Sequence, residues 1–127
     1  MGNPGDLRKR FILFAVSVIR FCRTLPRTSE TSEIASQLRR AGSSIGAHYA
    51  AASRPKSDRD YVNKVSGGIE EGDEALYWFD VLVGAEIVAA EAISDLRDET
   101  EQLVRILVAS RSTARARMQR QRARQER

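Results

Sequence analysis

With 127 residues, 42% of them hydrophobic, the chain has room for one domain with a modest core. A formal net charge of +4 and a pI near 9.7 favour an anionic partner. A single cysteine, Cys22, excludes an intramolecular disulfide, and no uninterrupted apolar stretch reaches the roughly 20 residues that cross a bilayer, so no membrane is expected.

The charge is unevenly spread. Seven arginines and one glutamate between Arg111 and Arg127 give that segment +6, which leaves the first 110 residues at −2. The apolar run from Phe11 to Cys22 is broken by Arg20 and followed by no small-residue cleavage pattern, so no export signal is read and a cytoplasmic location is the expectation.

Pro4-Gly5 marks a loop after Met1, and Asp6 stands at an N-cap position. Leu7, Phe11, Phe14, Val18 and Phe21 then recur at helical spacing. This predicts a first helix to about Thr24, stopped by Leu25-Pro26. Thr28 or Ser29 caps a second helix running to about Ser53, with Glu30 and Glu33 in its first turn. Its seam is Ile34, Leu38, Ala41, Ile45, His48 and Ala52 at alternating steps of four and three, flanked by small residues that let neighbouring backbones approach.

Arg54-Pro55-Lys56 forms the next loop, and Ser57-Asp58-Arg59-Asp60 reads as a capping box with aspartate in place of glutamate. The third helix carries Tyr61, Val65, Ile69, Gly72, Leu76, Phe79 and Val83 on its seam, with Trp78 and Leu82 beside it and Gly84 placed to end it. Gly67, Gly68 and Gly72 cost about 1 kcal/mol each relative to alanine inside a helix. Either this half of the helix is loosened or something packs very close to it.

After a linker of roughly Ala85 to Ala90, a fourth helix has Ile93, Leu96, Leu103 and Leu107 on its seam with Thr100 as a polar interruption. The tail from Ser112 lacks an apolar stripe. It extends the helix or is disordered, and arginine-glutamine composition does not decide which. No period-two alternation competes. The fold class expected is all-α, an antiparallel up-down-up-down four-helix bundle over residues 1–112 with a basic tail over 113–127.

Segments of the second and third helices carry a resemblance. QLRRAGSSIGAHY from Gln37 to Tyr49, SRPKS from Ser53 to Ser57 and EEGDEALYWFDVL from Glu70 to Leu82 are similar to the bacterial four-helix-bundle family first noted as proteins encoded by intervening sequences in large-subunit ribosomal RNA genes. The Leu25-Pro26 exit of the first helix and LVRILVAS from Leu103 to Ser110 also fit. Accessory variability proteins of diversity-generating retroelements look like relatives of the same family. This chain departs from the pattern in having His48 where asparagine is usual, and glycine at 67, 68 and 72 where aliphatic residues are usual. The resemblance implies a helical bundle, assembly into a small ring, most often a pentamer, and a non-enzymatic role in binding nucleic acid. For the retroelement relatives it implies a partner reverse transcriptase and its RNA.

The residues themselves offer no catalytic set. His48 reads as a hydrogen-bonded core residue, and Ser43, Ser44 and Cys22 have no base and orienting acid nearby in sequence. Gly67-Gly68 lacks the lysine and hydroxyl of a phosphate loop. Glu70, Glu71, Asp73 and Glu74 form an acidic patch without the Glu-x-x-His pairs of bundle metal sites, so the patch is expected to pair with arginines. The expectation is a protein that is not an enzyme and takes no cofactor or metal.

Arg39, Arg40, Arg54, Lys56, Arg59 and Lys64 are expected to line one end and one edge of the bundle around the second connection, with Arg115 and Arg117 of the tail adding a cationic arm. The excess of arginine over lysine favours RNA or single strands, because the guanidinium fork fits phosphate and its plane stacks on unpaired bases. Val81, Val83, Val88 and the small-residue faces are too apolar for one small bundle to hide, which predicts a homo-oligomer. The alternative class is a protein-interaction scaffold subunit that docks a partner protein without nucleic acid.

Overall fold

The computed structural model describes residues 4–126. Four α-helices follow one another, α1 (Pro4–Arg23), α2 (Ser29–Ala52), α3 (Asp58–Gly84) and α4 (Ala90–Gln125), and no strand occurs among the described residues. Each helix packs on the next in sequence, and α4 returns to touch α1 along a narrower seam, which closes the antiparallel up-down-up-down bundle. Met1 to Asn3 of the expected leading loop, and Arg127 of the tail, lie outside the described residues.

The expected helices form, with three instructive differences. α1 begins at Pro4, and Asp6 falls in its first turn instead of capping it. Proline at a helix start loses no hydrogen bond and brings its φ already set, so the Pro4-Gly5 pair opens the helix. The Ser57 side chain caps α3 by accepting from Asp60 N at 3.0 Å, but the reciprocal bond is shifted by one residue: Asp60 Oδ2 accepts from Lys56 N at 3.0 Å. The left-handed residue that ends α3 is Glu86, at φ 60°, and not Gly84. Glu86 N donates to Val83 O and Ile87 N to Leu82 O, each at 3.0 Å, which is a Schellman closure built on a glutamate. Of the two outcomes open for the tail, α4 takes the first: it continues unbroken past Ser112 to Gln125.

The core is one cluster. Phe11, Phe14 and Val18 of α1 meet Leu38, Ala41 and Ile45 of α2, Val65, Ile69, Phe79 and Leu82 of α3, and Ile93, Leu103 and Leu107 of α4. Thr100 is fully buried among them, and its hydroxyl donates to Leu96 O at 2.7 Å, which satisfies it within its own helix. On α3 the buried stripe is Val62, Val65, Gly68, Ile69, Gly72, Ala75, Phe79 and Leu82, whereas Tyr61, Leu76, Trp78 and Val83 are only half-buried. The shift has a cause: α3 lies between α2 and α4 and must present a face to each, so its apolar stripe is wider than a single seam. Ile34 and His48 on α2 are likewise half-buried.

The glycines mark close approach. A Cβ on Gly46 would meet Phe11 Cβ at 2.9 Å, and one on Gly67 would meet the His48 ring at 2.6 Å. The third helix is therefore not loosened at Gly67-Gly68; the imidazole of α2 lies against it. His48 is held there by packing, with no side-chain hydrogen bond among the described residues, which corrects the expectation of a hydrogen-bonded core histidine.

Val81, Val83 and Val88 do not form an exposed apolar surface. All three are half-buried, because the connection after α3 folds back and Val88 N donates to Leu82 O at 3.4 Å. The large apolar side chains left in solvent are Ile12, Leu13, Tyr77 and Val108, with Leu13 65% exposed. No helix among the described residues is long and apolar enough to cross a membrane.

Candidate nucleic-acid interface

The antiparallel packing brings three chain segments to one end of the bundle: the start of α1, the connection between α2 and α3, and the last third of α4. Phe11 stacks on Tyr49 at 4.7 Å between ring centroids, so Arg8, one turn earlier on α1, lines a cleft with Tyr49, Ala50, Ser53 and Arg54. Arg117 Nη2 bonds Asp58 Oδ1 at 2.9 Å, which ties α4 to the first residue of α3. Beyond that tie α4 runs on past the beginning of α3, and residues 119–126 are all exposed.

Arg54, Lys56, Arg59 and Arg115 are exposed at this end, as are Arg120, Arg122 and Arg124. Carboxylates here are few and mostly engaged. Asp60 accepts from Lys64 Nζ at 2.8 Å as well as from Lys56 N, and the Lys64 hydrogen bond first, then the Lys56 amide, hold its carboxyl below the usual aspartate range. Lys64 and Arg117 are thus half-neutralised within the chain, while Arg54, Arg59 and Arg115 carry no ion pair among the described residues.

The two arginines expected on an adjoining edge do not share it. Successive residues diverge by about 100° around a helix, so Arg39 and Arg40 point to different neighbours. Arg40 Nη2 bonds both carboxylate oxygens of Glu74, at 2.7 and 3.0 Å, and its Nη1 lies 3.5 Å from the buried Oε2 of Glu71. The acidic patch therefore meets an arginine as expected, and that arginine is structural. Arg39 instead borders a cleft at the exit of α1 with Cys22, Arg23, Arg27 and Ser32. Burial pushes the Cys22 thiol up, against the opposing pull of Arg39.

The opposite end of the bundle differs in character. Glu30, Glu33, Glu86, Glu91 and Asp95 are exposed there together with Arg20, Arg23 and Arg27, and Asp80 is held low by its hydrogen bonds to Arg97. That end carries both signs, whereas the end where α4 projects is predominantly cationic. Sequence reasoning missed Arg8 as a member of the cationic end, and it had Arg120, Arg122 and Arg124 only as part of a tail of undecided structure. Arg8 joins only through the α1–α2 register, and the α4 arginines only because the helix persists. Among the described residues no group of three or more histidines, cysteines and carboxylates is placed to hold a metal ion.

Such an arrangement defines the chain as an all-helical bundle with a basic pole. The chain belongs to the 23S rRNA-intervening sequence protein family, whose model matches residues 6–109. A similar solved structure is the 1.70 Å crystal structure of a protein of unknown function from the S23 ribosomal protein family of Bacteroides thetaiotaomicron. It is 23% identical, with a TM-score of 0.75, over 81% of this chain and 95% of that one. At that identity the likeness shows the shared fold. No curated protein matches the chain. The family match ends at 109, so the arginines of the α4 extension lie beyond it.

Proposed function

We propose that this protein is a non-enzymatic accessory subunit that oligomerises and binds RNA through its basic pole. The observation that carries the reading is the convergence of Arg8, Arg54, Lys56, Arg59 and Arg115 at one end of the bundle, three of them without an ion pair among the described residues. Phosphate contacts of this kind give affinity and orientation without sequence choice, and arginine adds stacking on unpaired bases. The family's link to ribosomal RNA intervening sequences supports RNA as the anion. The likeness to retroelement accessory proteins supports a ring, most often pentameric, working beside a reverse transcriptase in the cytoplasm. A ring would multiply each weak pole into a joint site.

The test is the affinity for a single-stranded or hairpin RNA as salt is raised. Replacing Arg54, Lys56 and Arg59 by glutamine should flatten the log–log salt dependence by about two units, at roughly 0.7 for each phosphate no longer neutralised. An unchanged slope rejects the pole as the RNA site. The exposed Ile12 and Leu13 favour the second reading, a scaffold that docks a partner protein through α1. In that case charge variants at the pole leave partner capture intact and Leu13→Asp abolishes it.

A further inference from the structure

The arginines of the α4 extension are not scattered around it. Thr100, Leu103, Leu107 and Ala114 are the buried side of α4, which fixes the direction in which the helix faces the bundle. At 3.6 residues per turn the stripe pointing away runs through Ala123, with Gln119 about 50° to one side of the outward direction and Arg120 about 50° to the other. Arg115 and Arg122, two turns apart, lie on one flank of that narrow stripe. Arg120 and Arg124, one turn apart, lie on the other, at roughly 180° from the first pair around the axis. All six side chains are exposed. A solvated arm gains nothing from this order, whereas a helix seated between two rows of phosphates needs it: cations to each wall and short side chains towards the floor.

We infer that the extension of α4 docks lengthwise in the major groove of duplex DNA, with Gln119 and Ala123 towards the base edges and the two arginine pairs on the opposing phosphate strands. The inference rests on the reading of the basic pole as a nucleic-acid site and adds a second kind of strand to it. Groove width decides the partner. A helix about 10–12 Å across fits the major groove of B-form DNA, about 12 Å wide, while the major groove of A-form RNA is deep and too narrow to admit it. The tie from Arg117 to Asp58 at 2.9 Å holds the root of this helix to the bundle, so the arm is presented at a fixed angle.

The experiment compares the full chain binding a DNA duplex, an RNA duplex of the same sequence and single-stranded RNA, by fluorescence anisotropy, with circular dichroism confirming that each variant keeps its helix. The DNA duplex should bind about tenfold more tightly than the RNA duplex. Ala123→Trp, which changes no charge but fills the stripe, should weaken DNA-duplex binding about tenfold and leave single-stranded RNA within about twofold. Converting Arg115 and Arg122 to glutamine, or Arg120 and Arg124, should each take about two units off the DNA salt slope. Equal affinity for the two duplexes overturns the inference, and so does an Ala123→Trp chain that binds DNA as well as the parent. Failure of the RNA reading is separate: it shows as RNA affinity insensitive to Arg54, Lys56 and Arg59 while the DNA result stands.

Discussion

Gly46 shows how a single position sets the spacing of two helices. Alanine there would gain about 1 kcal/mol of helix propensity, but its methyl would meet Phe11 Cβ at 2.9 Å, an atom next to the backbone with nowhere to swing. Gly46→Ala should therefore destabilise the protein by about 1–3 kcal/mol in urea unfolding, and a stabilised variant would show that α1 and α2 are further apart than described. Glu86 predicts the opposite sign. It occupies the left-handed region at φ 60°, where a Cβ costs about 1 kcal/mol, so Glu86→Gly should stabilise by about that amount, read from the same unfolding midpoint. Leu38→Ala, at a fully buried site, should cost about 2–5 kcal/mol. Leu38, Ile45 and Phe79 were legible as core from spacing alone. Glu86 was not, because glycine two residues earlier is the stronger C-terminal signal. His48 against Gly67 was legible only as an anomaly, since its two halves sit on different helices.

At the scale of elements, helix existence and order were readable and extent was not. Ser57 announced its cap, and Ser57→Ala should cost about 1 kcal/mol. The extension of α4 lacks the apolar stripe by which the other helices declare themselves. Three features keep it helical: alanine, arginine and glutamine are strong helix formers, no glycine or proline interrupts them, and Ala114 is buried while Arg117 is tied to Asp58. Amide exchange should thus be slowed through residue 117 and grow progressively faster towards 125; uniformly fast exchange from 113 onwards would mean a disordered arm. Two acidic side chains, Asp60 paired within α3 and Asp80 paired across to α4, carry a pH signature. Asp60 and Asp80 are held low by Lys64 and Arg97, so their contribution to stability is present above the ordinary aspartate value and is lost as pH falls through the lowered one. Carboxyl titration by NMR should give both midpoints below about 3.9.

The molecule as a whole is a rod with one predominantly cationic end, and that end was half visible in advance. The tail's +6 was plain in the sequence, but its placement beside Arg8 and the 54–59 connection depends on antiparallel packing and on the length of α4. Arg40 shows the limit from the other side: its partner Glu74 lies on another helix, so a phosphate ligand in sequence becomes an ion pair in the fold. Surplus apolar surface likewise sits on α1, at Ile12 and Leu13, and not at the valines that spacing suggested. Light scattering at tens of micromolar should report a homo-oligomer that Leu13→Asp dissociates, whereas a monomeric parent chain would remove the ring. RNA bound through the basic pole must touch the protein at one end only. Hydrogen–deuterium exchange with and without a single-stranded RNA measures this directly: protection should be confined to the start of α1, the 53–62 segment and α4 beyond Arg111. Protection centred on the opposite end around Glu86 to Asp95, or none at all at low salt, would contradict that placement.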